Sequence, residues 1–120
     1  MNTLFLVTFI VEALFGIGFL IVPGTMLGPF GVTLDATAIA FARLFGSALM
    51  SFPILLWFAR KSDIPDFKKG VVYSLFSYYF VSTILLMITQ LAGLMNVMGW
   101  SVIVIHVILL VWFGYFLLKK

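Results

Sequence analysis

The chain contains no cysteine. That absence excludes a disulfide framework, thiolate metal ligands and dithiol redox chemistry. Charge is scarce as well: seven Lys and Arg and four Asp and Glu make up 9% of 120 residues, where a soluble domain carries roughly 25%. A water-facing surface cannot be assembled from so few ions. One histidine without cysteine offers no metal-ligand spacing, and a metal at Glu12 would need partners that the sequence does not show. There is no Gly-rich phosphate loop, no HExxH helix, no Ser/His/Asp pattern, and no lysine inside the apolar runs to form a Schiff base. The expectation is a protein that is not an enzyme and holds no metal or cofactor.

Apolar sequence, by contrast, is abundant. The hydrophobic share is 64%, and it is arranged in four runs, each about long enough to cross a hydrocarbon core of ~30 Å at ~1.5 Å per residue. The expected fold is all-α, an integral membrane four-helix bundle in a single domain spanning residues 1–120. The N-terminus has no basic stretch ahead of its apolar run, and the run ends in Val22-Pro23-Gly24 rather than a small-residue cleavage site, so it reads as a retained helix and not a signal peptide.

Helix 1 is expected over about residues 3–22, stopped by Pro23 and Gly24. The stretch to Ala36 carries Gly28, Pro29 and Gly31 and no basic residue. Asp35 suits the N-cap of helix 2, over about 36–59, because its carboxylate can accept free amide hydrogens of the first turn. Pro53 lacks an amide hydrogen and crowds the carbonyl four residues back, so a kink near Leu49 is expected. The polar stretch Arg60–Lys69 reads as a loop, helix 3 as about 70–92, and helix 4 as about 97–118 after a tight connection through Gly93, Asn96 and Gly99.

The basic residues give an orientation. Six of the seven lie in Arg60–Lys69 or at Lys119-Lys120, and the other two loops have none. Lys and Arg are retained on the cytoplasmic side during insertion, and with four spans that loop and both termini must share a side. The expectation is an inner (plasma) membrane protein with both termini cytoplasmic. Trp57, Tyr73, Trp112 and Tyr115 would sit at one interface and Trp100 at the other. Basic residues gathered at helix ends do not make a phosphate-binding face, so nucleic acid is excluded as a partner.

Three ionisable side chains fall inside the apolar runs: Glu12, Arg43 and His106. Each costs roughly 2.5–3.5 kcal/mol near the bilayer centre and calls for a partner. Glu12 and His106 lie near the middle of their helices, and Arg43 begins about five residues, or roughly 7 Å, to one side. The expectation is a Glu12–Arg43 ion pair that fixes helix register, with Tyr78 and His106 in the same intramembrane polar cluster. On helix 1, Thr8, Glu12 and Gly16 share a face; on helix 3, Ser74, Tyr78 and Ser82 share one, with Ser77 and Tyr79 beside them. Ala38, Ala42 and Gly46 form a small-residue seam that admits another backbone closely, and Ser47 and Ser51 make an adjacent row.

Gly16-Ile17-Gly18-Phe19-Leu20-Ile21-Val22-Pro23, with Leu27-Gly28 and then Phe41-Ala42-Arg43-Leu44-Phe45-Gly46-Ser47, resembles the first hairpin of small DoxX-like bacterial membrane proteins. The resemblance covers the first half of the chain and implies a four-helix bundle in a bacterial membrane. Glu12 in Val11-Glu12-Ala13 also matches the place of the helix 1 glutamate of the small multidrug resistance family. Helix 3 has no Trp for that family's glycine motif, however, and Arg43 and Pro53 depart from it. The expected function is a small membrane module binding a hydrophobic molecule, lipid or partner subunit, with self-association through the helix 2 seam. The alternatives are a proton-coupled transporter centred on Glu12 and an accessory subunit of a redox or transport complex, with His106 as a haem or quinone contact.

Overall fold

The computed structural model of the protein describes residues 1–119; Lys120, counted in the basic tail, lies outside them. The described chain is all-helical: α1 (Asn2–Ile21), α2 (Pro23–Leu27), a 3-10 turn (Gly28–Phe30), α3 (Ala36–Leu49), α4 (Ser51–Lys61), α5 (Pro65–Leu91) and α6 (Gly99–Leu118). Four stretches among the described residues are long and apolar enough to cross a membrane: α1, α3 with α4, α5, and α6.

Local sequence explains most of the boundaries. Asp35 caps α3 as expected, its carboxylate accepting from the amide of Ala38 at 2.7 Å. Pro53 cannot return a hydrogen bond to the carbonyl of Leu49, and the second span breaks at Met50, between α3 and α4. Two boundaries differ from expectation. Pro23 does not merely end α1; it opens α2, where a proline's fixed φ and missing amide hydrogen cost nothing. The third span starts at Pro65, not Gly70, because Pro65 at the first position and Asp66 in the first turn favour a helix start. The polar residues Asp66, Lys68 and Lys69 are therefore helical and not loop.

Helix α1 packs along α3 and α4, and α5 packs along α6. Gly46 is the closest point of the first pair. A Cβ there would stand 2.6 Å from the amide nitrogen of Leu20 and 2.8 Å from the carbonyl oxygen of Gly16. The Ala38–Ala42–Gly46 seam thus serves a contact inside the chain, with Gly46 buried and Ala38 and Ala42 half-buried.

The two hairpins meet chiefly at the end that holds the termini. Leu4 and Phe5 of α1, Leu56 and Ala59 of α4, Val71, Val72, Leu75 and Tyr79 of α5, and Leu109 and Phe113 of α6 form one buried core there. Burial lowers the pKa of the Met1 amine, and the charges of nearby Lys119 and Lys68 lower it further, so Met1 and Lys119 lie near the first turns of α5. Toward the opposite end the hairpins separate. Their outer faces are apolar: Ile10, Leu14, Ile17 and Ile21 of α1 and Val104, Ile108, Val111 and Leu118 of α6 are all exposed. An envelope of this kind is stabilised by lipid and destabilised by water.

Candidate functional site

Glu12 is the buried ionisable group of α1, 3% exposed, on the face it shares with Thr8 and Gly16. Its partner is not Arg43. The hydroxyl of Tyr79 on α5 donates to Glu12 Oε1. The close Gly46 contact sets the rotation of α3 against α1, and Arg43 lies about a quarter-turn round the helix from that seam, exposed on the outer surface. The anticipated Glu12–Arg43 pair is replaced by a carboxyl–phenol pair between the two hairpins.

The rest of the cluster is present. His106 of α6 stands edge-on to the Tyr79 ring, centroids 5.4 Å apart, and 6.2 Å from the ring of Tyr78. Its Nδ1 lies 2.9 Å from the Val102 carbonyl, one turn back on its own helix. Since a carbonyl can only accept, Nδ1 carries the hydrogen. Tyr78 is half-buried, its ring against Phe52 and Tyr79. Glu12, Tyr78 and His106 are therefore brought together as expected, with Tyr79 added and Arg43 absent.

Above this cluster, away from the termini, the separated hairpins enclose a cavity of about 630 Å³. Glu12, Tyr78, Tyr79 and His106 lie at its inner end. Its walls are Phe15 and Phe19 of α1, Phe45 and Leu49 of α3, and Leu85 and Leu86 of α5, with Ser77, Ser82 and Thr89 as further polar points. Phe45, Val81 and Leu85 border it and are also exposed, which opens the cavity sideways between α3 and α5. Leu27, Phe30 and Met95 line its far end.

Near that far end Asn96 joins two interhelical connections. Its backbone amide donates to the Phe30 carbonyl at 2.9 Å, and its side-chain amide donates to the Pro29 carbonyl at 2.9 Å. Its side-chain oxygen accepts from the Met98 amide, and its carbonyl accepts from Gln90 Nε2. One residue ties the α2–α3 connection to the α5–α6 connection. Sequence reasoning saw Asn96 only as a turn residue; the available signal was an amide side chain alone in an apolar connection.

Tyr79 was missed for another reason. Tyr78 and Tyr79 are adjacent, and the serine row Ser74–Tyr78–Ser82 pointed to the first. The apolar row Val72–Leu75–Tyr79, which is the buried one, pointed to the second. Thr8 Oγ1, buried one turn below Glu12, has no hydrogen-bond partner, and neither does the buried Gln90 Oε1 of α5. Among the described residues, no group of three or more His, Asp or Glu side chains could hold a metal ion. Comparison with protein-family models, curated proteins and solved structures gives no match to this chain.

Proposed function

We propose that the chain is a four-span inner-membrane protein that binds a hydrophobic molecule in the cavity between its two hairpins. The observation that carries this reading is the cavity itself: about 630 Å³, walled by aromatic and aliphatic side chains, with a few polar groups gathered at one end. Sites for small molecules have this make-up, apolar walls for affinity and a few placed polar groups for orientation. The side opening between Phe45 and Leu85 would admit a molecule already dissolved in the bilayer. The basic Arg60–Lys69 segment and the termini face the cytoplasm in this reading, and the DoxX-like resemblance of the first hairpin fits the same bundle.

The test is native mass spectrometry of protein released from lipid nanodiscs. Wild-type protein is expected to retain a hydrophobic small molecule, and Ser82→Phe, which fills the cavity, is expected to fold and lose it. Retention by Ser82→Phe equal to wild type, or an empty wild-type protein in every lipid preparation, would rule the reading out. Reporter fusions at Ser62 and at Gly31 check the orientation, with a cytoplasmic signal expected from the first alone.

A further inference from the structure

We infer that a small groove between α4 and α5 binds the head of an ethanolamine phospholipid, with its ammonium group on Asp66 and its phosphate on Lys69. The inference is independent of the larger cavity and requires only that these helices cross a bilayer. The groove has a volume of about 300 Å³. Phe52 and Leu55 line it from α4, and Phe67, Val71 and Leu75 line it from α5. Asp66 marks one end, in the first turn of α5, and Ser74 lies eight residues, or about 12 Å, further along the helix. Gly70 lies between them, and a Cβ added there would meet nothing within 4 Å. Asp66 adjoins the α4–α5 loop, where Lys61 Nζ stands 4.2 Å over the Trp57 ring, and Trp rings favour headgroup depth. The groove therefore runs from the headgroup layer into the acyl chains.

Asp66 is the one ionisable side chain that lines the groove. Lys69 follows it by three residues, and side chains at that spacing are neighbours on a helix surface; both are exposed. Left to each other they can form only a weak intrahelical pair. An ethanolamine head carries an ammonium with three N–H donors and, two carbons away, a phosphate. It can engage both side chains at once through charge-assisted hydrogen bonds, which are stronger than neutral ones. Its acyl chains then lie along the apolar walls. A choline head has the same charges but no N–H, so it cannot donate to Asp66. A phosphatidylglycerol head is drawn to this end by Arg60, Lys61, Lys68, Lys69 and Lys119, which outnumber Asp63 and Asp66. In the groove, however, its single negative charge would stand beside a carboxylate. The excess of cations acts on every anionic lipid nearby, whereas the groove offers one carboxylate at a fixed place.

The experiment uses full-length protein in nanodiscs of dioleoyl phosphatidylcholine mixed with an equal amount of the dioleoyl form of phosphatidylethanolamine, its N,N-dimethyl derivative or phosphatidylglycerol. Retained lipid is identified by native mass spectrometry. Wild-type protein is expected to keep the ethanolamine lipid over the choline lipid by about threefold or more, with the dimethyl derivative between them as N–H donors are lost. Asp66→Asn keeps the side-chain shape and removes the charge, and the preference is expected to disappear. Gly70→Leu puts a side chain into the open part of the groove and is expected to abolish it as well. Equal retention of ethanolamine and choline lipids by wild-type protein overturns the inference. Stronger retention of phosphatidylglycerol than of the ethanolamine lipid also overturns it, because net charge alone would then govern binding. An unchanged ethanolamine preference in either variant overturns it too, since the lipid would sit elsewhere on the surface. Should Asp66→Asn not fold, the wild-type series and Gly70→Leu decide.

Discussion

Replacing Gly46 by alanine puts the hairpin geometry to a quantitative test. The added Cβ would meet Leu20 N at 2.6 Å, Gly16 O at 2.8 Å and Phe19 Cβ at 2.9 Å. Two of these three are backbone atoms, which no side-chain rotation can move. Closely packed interiors resist such insertion, so α1 and α3 must part by about half an ångström or more. Overpacking of this kind costs ~1–3 kcal/mol, and two fixed obstacles put the change in the upper half of that range. Alanine's helix preference over glycine returns ~1 kcal/mol. The expected net loss for Gly46→Ala is about 1–2 kcal/mol. Gly70→Ala is the matched control: it lies inside α5, nothing approaches within 4 Å of its added Cβ, and it collects the propensity gain alone, up to ~1 kcal/mol. The two variants should differ by about 2–3 kcal/mol in unfolding free energy, read by steric trapping in bicelles or by denaturing-detergent titration. Gly46→Ala unfolding at or beyond the midpoint of Gly70→Ala would refute the close α1–α3 approach, and with it the rotation that turns Arg43 outward.

Three further outcomes follow from the carboxyl–phenol pair and its surroundings. Tyr79→Phe strands a buried carboxyl oxygen and should cost ~1–3 kcal/mol, while Tyr78→Phe should stay within ~0.5 kcal/mol; equal effects in detergent melts would contradict the assignment of the partner. A double-mutant cycle on Glu12→Ala and Arg43→Ala should show coupling below ~0.5 kcal/mol, as for sites without shared contacts, and coupling above that would restore the ion pair. Thr8→Val removes a buried hydroxyl that has no partner and should stabilise the protein by roughly 1 kcal/mol; a lower unfolding midpoint would mean that the hydroxyl is satisfied in the membrane.

Much of the fold was legible because its signals are local. Span length, the Asp35 cap and the break imposed by Pro53 depend on residues within one or two turns of each other. The Thr8–Glu12–Gly16 face was legible too, since polar and small residues at helical spacing mark an inward side when the solvent is oil. Helix rotation was not. α5 and α6 are apolar nearly all round, so no amphipathic stripe says which flank packs, and the choice between Tyr78 and Tyr79 depends on long-range contacts with α1 and α6. Arg43 shows the same limit. Its depth along the helix axis followed from counting residues, but its direction around that axis is set by the Gly46 contact with α1. The start of α5 was obscured because Asp66, Lys68 and Lys69 have loop-like composition while lying beyond the apolar span.

The Asn96 staple has a consequence for how any occupant would be chosen. If the cavity holds a hydrophobic molecule as proposed, the tied connections favour entry through the flank between α3 and α5, and a candidate would first dissolve in the acyl chains. Partitioning then acts as a filter ahead of recognition. Each added methylene favours transfer from water by ~0.8 kcal/mol, or about fourfold, before a single side chain is touched. Affinities referred to the aqueous phase would climb steeply along a homologous series, and affinities referred to the bilayer would level off once the tail outgrows the space beneath Phe30.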